Sequence, residues 1–206
     1  MASFITLEGG EGAGKSTQAR LLADALLRLG APVLRTREPG GAPGAELLRG
    51  LLLGGEIEWS APAETLLHFA ARAEHVAKTI RPALDAGMWV VCDRFYDSTV
   101  AYQGYGQGAD RATIAALTEL LGIVPDVTLV LDVSEAVAVE RQLRRGMDAD
   151  RYERLDALFH ARVRQGFRDI AAAAPERCVL IDAGGTEAEV HAAIMRALRA
   201  RVAVPG

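Results

Sequence analysis

Short apolar runs alternate with long stretches of helical periodicity along most of this chain. Phe4 to Leu7, Met88 to Cys92, Val127 to Val133 and Cys178 to Ile181 are continuously or nearly continuously hydrophobic, and Val33 to Thr36 reads as a further strand. Continuous rather than alternating hydrophobicity, bounded by turn residues, fits strands buried on both faces. Thr17 to Leu29 carries Leu21, Leu22, Ala25, Leu26 and Leu29 at helical spacing. Similar periods predict helices over Pro62 to Asp85, Asp110 to Leu121, Glu135 to Arg144, Arg151 to Ala174 and Glu187 to Val202. Gly30-Ala31-Pro32 ends the first helix, Pro82 is expected to kink or split the second, and Pro175 stops the fifth. Thr186-x-x-Glu189 is a capping box at the start of the last. Strands alternating with helices predict an α/β domain with a parallel sheet, in which ligands sit beyond the carboxyl ends of the strands. That rule selects Gly9 to Ser16, Arg37 to Gly41, Asp93-Arg94 and the segment after Asp132.

The first of these carries the strongest chemistry. Gly9-Gly10-Glu11-Gly12-Ala13-Gly14-Lys15-Ser16-Thr17 matches G-x-x-x-x-G-K-[ST] between a predicted strand and a predicted helix. Small residues let the backbone curl so that its N–H groups face phosphate oxygens, with the helix N-terminus adding partial positive charge. Lys15 can reach the β- and γ-phosphates and Ser16 can ligate Mg²⁺. The pattern implies a nucleoside triphosphate site at Gly9, Gly10, Gly12, Ala13, Gly14, Lys15, Ser16 and Thr17.

Composition narrows the partners. A chain of 206 residues, half of them hydrophobic, suffices for one well-buried domain. A net charge of −4 argues against a general nucleic-acid or membrane surface. Of 23 basic residues only Lys15 and Lys78 are lysine, and arginine suits bidentate phosphate binding. Cys92 and Cys178 each sit in an apolar run, which suggests reduced core thiols. The opening Met-Ala-Ser has no basic n-region and the apolar runs fall short of a membrane span, so a cytoplasmic protein is expected.

Weaker signals cluster at the other predicted strand ends. Val90-Val91-Cys92-Asp93 is an apolar strand ending in a carboxylate that could hold Mg²⁺ directly or through water. Arg94 stands where a motor-type NTPase needs a water-positioning residue, and suits a phosphate; an ordinary Asp–Arg surface pair is the other reading. Arg37-Glu38-Pro39-Gly40-Gly41 allows close backbone approach to a ligand, or is simply a turn. His68 and Arg72 share a helix face with Thr65 and Phe69 beside them, as a ligand site or a solvated pair. Thr99, Tyr102 and Gln103 align at helical offsets and could read a base edge or cap a short helix. Arg141 to Arg151 is a basic run with Gly146 at a helix end, either a solvated face or a flap bringing arginines onto phosphates.

Taken in order, these stretches resemble the thymidylate kinase family of P-loop nucleoside monophosphate kinases. The resemblance covers Glu8 to Thr17, Thr36 to Gly41, Phe69 to His75, Asp93-Arg94 through Tyr102-Gln103-Gly104, and Asp150 to Glu153. It implies one domain over residues 1–206 with a parallel five-stranded sheet flanked by helices on both sides, a lid at about 144–153 and a homodimer packed through helices. The implied reaction is ATP plus dTMP giving ADP plus dTDP, with Mg²⁺ held around Ser16 and Asp93. Carried over by position, Lys15, Arg94, Arg145, Arg151 and Glu11 serve catalysis, and Arg141 covers adenine. Glu11, Arg37, Glu38, Arg49, His68, Phe69, Arg72, Arg94, Thr99, Tyr102 and Gln103 surround dTMP, Arg72 facing thymine O4 and Tyr102 excluding a ribose 2′-hydroxyl. No arginine lies between Gly9 and Gly14, which resembles the bacterial subtype whose catalytic arginine comes from the lid. His68 departs from the family's usual stacking Phe, and Phe69 is rotated about 100° from it around the helix. A kinase for another deoxynucleotide or deoxynucleoside shares the loop and sheet, and a nucleotide-gated binding module is a reading from a different class.

Overall fold

The protein is described from a computed structural model, which covers residues 2–54, 57–145, 151–152 and 154–205. Five strands, β1 (Phe4–Glu8), β2 (Val33–Arg37), β3 (Trp89–Asp93), β4 (Val127–Asp132) and β5 (Cys178–Asp182), pair in parallel in the order β2-β3-β1-β4-β5. The strand with the phosphate-loop pattern after it is thus at the centre. Four strands are mainly apolar and β2 is mixed, yet all five end in a charged residue: Glu8, Arg37, Asp93, Asp132 and Asp182. The carboxyl edge of the sheet therefore gathers charge by the register of its strands alone.

Both faces are covered. On one, α1 (Lys15–Arg28) and α9 (Glu187–Arg199) pack Leu22, Leu26, Ile194 and Leu198 on Ile5, Leu7, Val91 and Leu129. On the other, Val90 and Cys92 meet Phe95, Ile80 and Ile114, while Val130 meets Phe159, Val163 and Phe167. Both cysteines are buried and free, and burial raises the Cys178 thiol to about 12. Among the described residues no helix is long and apolar enough to cross a membrane.

The long helix predicted to kink at Pro82 runs as α3 (Ala61–His75), a π-helical turn over Val76–Ile80 and α4 (Arg81–Asp85). The π turn widens the helix just ahead of the proline, whose missing N–H falls in the first turn of α4. α5 (Tyr96–Thr99) passes into a second π-helical turn, Val100–Gly106, and α6 (Arg111–Leu121) is capped by the Asp110 carboxylate. α7 is Glu135–Arg145. The helix expected from Arg151 begins instead at Ala157: Asp156 caps α8 (Ala157–Ala173), accepting from the Phe159 N–H at 2.7 Å. One helix, α2 (Pro43–Leu53), is absent from the sequence reading; Pro43 opens it and Ala45 packs with Ala71 of α3. The capping box at Thr186 is formed as expected.

Candidate active site

The phosphate loop joins β1 to α1. Gly12 and Gly14 take left-handed φ values of 71° and 88°, and a Cβ on Gly12 would lie 2.5 Å from the Ala138 carbonyl oxygen. Only glycine leaves room there for the loop to close beside α7. Lys15 is buried behind the loop and donates to the Gly10 carbonyl at 2.7 Å. Its burial, then the neighbouring Arg94 charge, lowers its pKa to about 8, against Glu11 and Asp93. Ser16 Oγ donates to Asp93 Oδ2 at 2.5 Å, joining the loop to the end of β3.

Arg94 follows that carboxylate with a left-handed φ of 70°, unusual for a residue with a side chain. Glu8 holds the turn, accepting from the Phe95 N–H at 2.7 Å and from Ser98 Oγ at 2.6 Å. Burial, with the Asp97 charge, raises Glu8 to about 8. So turned, Arg94 donates to the Gly9 carbonyl and Ser98 Oγ at 3.1 and 3.2 Å and forms an ion pair with Glu11. Burial opposes ionisation of Glu11, yet Arg94, then Lys15 and the Tyr102 hydroxyl at 2.7 Å, hold it at about 2.

Beyond Arg94 the cavity runs to a second group. Arg72 of α3 is buried, donating from Nε to Glu38 at 2.6 Å and from Nη2 to the Phe95 carbonyl and Thr99 at 3.1 and 3.2 Å. Its Nη1 is buried without a hydrogen-bond partner among the described residues. The other Glu38 oxygen meets His75 Nδ1 at 2.9 Å. His68 Nε2 and the Tyr152 hydroxyl are 2.9 Å apart; burial, then the charges of Arg72, Arg94 and Arg151, lower His68 to about 3, so it is neutral. Arg49 donates to the Pro39 carbonyl at 2.6 Å, and Arg37 pairs with Glu46 at 3.2 Å.

One cavity of about 1290 Å³ connects these groups, above the 300–1,000 Å³ usual for one ligand. Its walls include Glu11, the loop from Gly12 to Thr17, Arg37, Glu38, Arg49, His68, Arg72, Asp93, Arg94, Thr99, Tyr102, Gln103 and Arg141. Gly9 and Gly10 lie just behind, giving carbonyls to Arg94 and Lys15. Arg141 donates to the Gly185 carbonyl at 2.9 Å, and its guanidinium lies near Gly14 of the loop.

Two sequence candidates fall elsewhere, and a third is not described. Phe69 faces away, into the cluster with Phe4 and Phe95, because one residue's rotation around α3 gives the cavity to His68. Arg151 is not on the phosphate loop but paired with buried Glu64. Arg145 ends α7 and its side chain, like residues 146–150 of the expected lid, lies outside the described residues. Sequence reading also missed wall residues. Gly184 to Glu187 follow β5, a strand end that the sequence reading did not select, and Gln18 is in the first turns of α1; behind the wall, Glu64 sits four residues before His68 and holds Gln103.

The thymidylate kinase family model matches residues 7–194. The chain is 51% identical to the thymidylate kinase of Gluconobacter oxydans (strain 621H), covering 98% of this chain and 97% of that protein. It is 53% identical to that of Rhizorhabdus wittichii, covering 95% and 96%. The crystal structure of thymidylate kinase from Ehrlichia chaffeensis superposes with a TM-score of 0.80 at 36% identity, over 95% of this chain and 98% of that one. On this likeness over nearly its whole length, the chain belongs to the thymidylate kinase family.

Proposed function

We propose that this chain transfers the γ-phosphoryl group of ATP to dTMP, giving ADP and dTDP, and that residues 1–206 form one catalytic unit with a lid at about 144–153. The observation that carries this reading is the position of Arg94, between the phosphate loop and the Arg72–Gln103 end of a single cavity. ATP phosphates lie along Gly9, Gly10, Gly12, Ala13, Gly14, Lys15, Ser16 and Thr17, with adenine toward Arg141. The dTMP phosphate lies among Arg37, Arg49 and Arg94, and its base among His68, Arg72, Thr99 and Gln103. Glu11, fixed by Arg94 and Tyr102, faces the sugar, and Glu38 sets Arg72.

Ser16 and Asp93 fit Mg²⁺, being one hydroxyl and one carboxylate in contact beside the loop. Among the described residues no group of three or more His, Cys, Asp or Glu could hold a metal. That suits Mg²⁺, which keeps waters and takes phosphate oxygens. Bound there, it would offset charge on the triphosphate.

The acceptor phosphate has its second pKa near 6, so at neutral pH it attacks as the dianion and needs no general base. Catalysis then lies in alignment and in charge set before substrate arrives. Lys15 and Arg94 face charge spreading over the transferred group; Arg145 and Arg151 would join them from the lid, Arg151 by exchanging Glu64 for phosphate. Closure would keep water from taking the phosphoryl group. Leu66 of α3 with Leu117, Leu120 and Leu121 of α6 line an outer apolar groove, Leu120 being 82% exposed. A second copy packed there would make the homodimer. With ATP and dTMP as substrates and both thiols free, the cytoplasm is the compartment we propose.

The reaction is tested by coupled ADP release with dTMP, dUMP, dCMP, dGMP and thymidine offered in parallel. Rapid release and dTDP formation with dTMP are expected; hydrolysis without dTDP would sink the reading. Arg151→Ala should lower kcat at saturating substrates at least about tenfold, and near-wild-type turnover removes it from catalysis. Because burial has lowered Lys15 to about 8, kcat/KM for ATP should be level near pH 7 and fall above pH 8 as the free enzyme loses that charge. The kcat profile should bend at higher pH, since bound phosphate favours the ammonium form; coincident profiles would count against Lys15. Sedimentation should give a species near twice 21.9 kDa, shifted toward monomer by Leu120→Glu.

A further inference from the structure

Glu64 lies in the first turn of α3, fully buried, and is the hub of the base end of the cavity. Its Oε1 accepts from Gln103 Nε2 and Gln107 Nε2, each at 2.8 Å, and from the Tyr152 hydroxyl at 2.7 Å. Its Oε2 accepts from Arg151. The Tyr152 hydroxyl, having donated its proton to Glu64, accepts from Gln103 Nε2 at 3.1 Å. An ionised carboxylate can only accept hydrogen bonds. The amide nitrogen of Gln103 must therefore face Glu64, which turns the amide oxygen the other way. That oxygen has no hydrogen-bond partner among the described residues, and Gln103 is part of the cavity wall. Arg72 lines the same cavity with an unpartnered Nη1 donor.

The wall thus carries an acceptor of fixed polarity on Gln103 and, buried within it, an unpartnered donor on Arg72, both assigned before any ligand arrives. A pyrimidine ring with a carbonyl at position 4 and a proton on N3 complements that order. A ring with an amino group at position 4 and a bare N3 reverses it, setting donor against donor and acceptor against acceptor. Were the Gln103 amide free to turn over, half of this discrimination would vanish, because a glutamine can offer either atom.

We propose that Glu64 is a positioning residue for base selection: it locks the Gln103 amide with its oxygen toward the cavity, so that an N3–H pyrimidine is accepted and a cytosine-type base refused. The inference rests on the cavity being a pyrimidine mononucleotide site, as argued above. It also gives buried Tyr152 and Arg151 a consequence for selectivity, since both are held by the same carboxylate.

Glu64→Gln keeps the volume and replaces a pure acceptor with an amide that can face Gln103 with either atom. The KM for dTMP should rise about tenfold while that for ATP stays unchanged, and the dTMP-to-dCMP ratio of kcat/KM should fall about tenfold. Gln103→Leu should lower the same ratio, and the double variant should fall no further, since Glu64 acts through Gln103. An unchanged ratio in E64Q, equal rises in both KM values, or additive effects would overturn the proposal. A nitrogen-15 measurement on the wild-type chain checks it without relying on a variant that folds. The Gln103 side-chain amide protons should stay protected from exchange, with and without dTMP, and their release on dTMP addition would overturn it. Failure of the wild-type chain to form any dTDP would refute the reaction itself, whereas failure of the Glu64 proposal leaves wild-type dTDP formation intact.

Discussion

A guanidinium withdrawn from water must be given a carboxylate, and the site is organised around that requirement. Arg94 has Glu11, Arg72 has Glu38, Arg151 has Glu64, and Arg177 has Asp97 at 2.7 Å. Removing one member of a buried pair typically costs about 3–5 kcal/mol, because the other charge is left stranded. The pairing explains how a chain of net charge −4 can keep Arg72 and Arg94 together on the wall of one cavity. It also orients Arg72 and Arg94 before substrate arrives, so little ordering of these two is left for the moment of reaction. In the proposed reaction, substrate phosphate would enter as an additional anion at Arg94, whose pKa Glu11 and neighbouring acids hold above its ordinary value despite burial.

The backbone around Arg94 shows the same logic one layer further in. A left-handed φ at a residue with a long side chain costs on the order of 1–3 kcal/mol and needs outside support. Glu8 supplies it from the end of the central strand, binding the N–H after Arg94 and the Ser98 hydroxyl that Arg94 also reaches. Glu8 is itself displaced from its ordinary state by burial and by Asp97, which Arg177 in turn neutralises. The position of one cation thus depends on residues from β1, the β3–α5 connection and the start of β5, none of which carries the loop pattern.

Much of the fold was legible because β1, β3 and β4 are buried on both faces, which leaves runs such as Val90-Val91-Cys92 little freedom to be anything else. The edge strands β2 and β5 are partly exposed, Leu180 among them. The phosphate loop was legible because its two fixed glycines are each required, Gly9 by the Leu131 carbonyl oxygen, on which a Cβ would clash, and Gly14 by its left-handed φ of 88°. α2 was not: Gly44 and Gly50 weaken its helical propensity, and contacts of Ala42 and Ala45 with Ala71 overrode it. The start of α8 was hidden because Arg151 to Asp156 continues the helical spacing, and only the cap shows where the helix begins. Glu64 could be placed on the His68 face, but its partners Gln103, Gln107 and Tyr152 lie 39, 43 and 88 residues away. Spacing within one helix cannot display a network closed by two other segments.

The two ends of the cavity rely on different physics, and His68 shows why. At the phosphate end charge is met by charge, and direction matters less than field. At the base end single atoms must be told apart, which needs hydrogen bonds of fixed polarity and a flat neutral surface. A histidine beside three arginines would be a liability if it took up a proton. Burial and those same arginines prevent this, holding its pKa at about 3. The ring remains neutral and spends Nε2 on the Tyr152 hydroxyl, and in the proposed base site its face would meet a planar base. The departure from phenylalanine at this position is therefore made workable by the cations around it, not merely tolerated despite them.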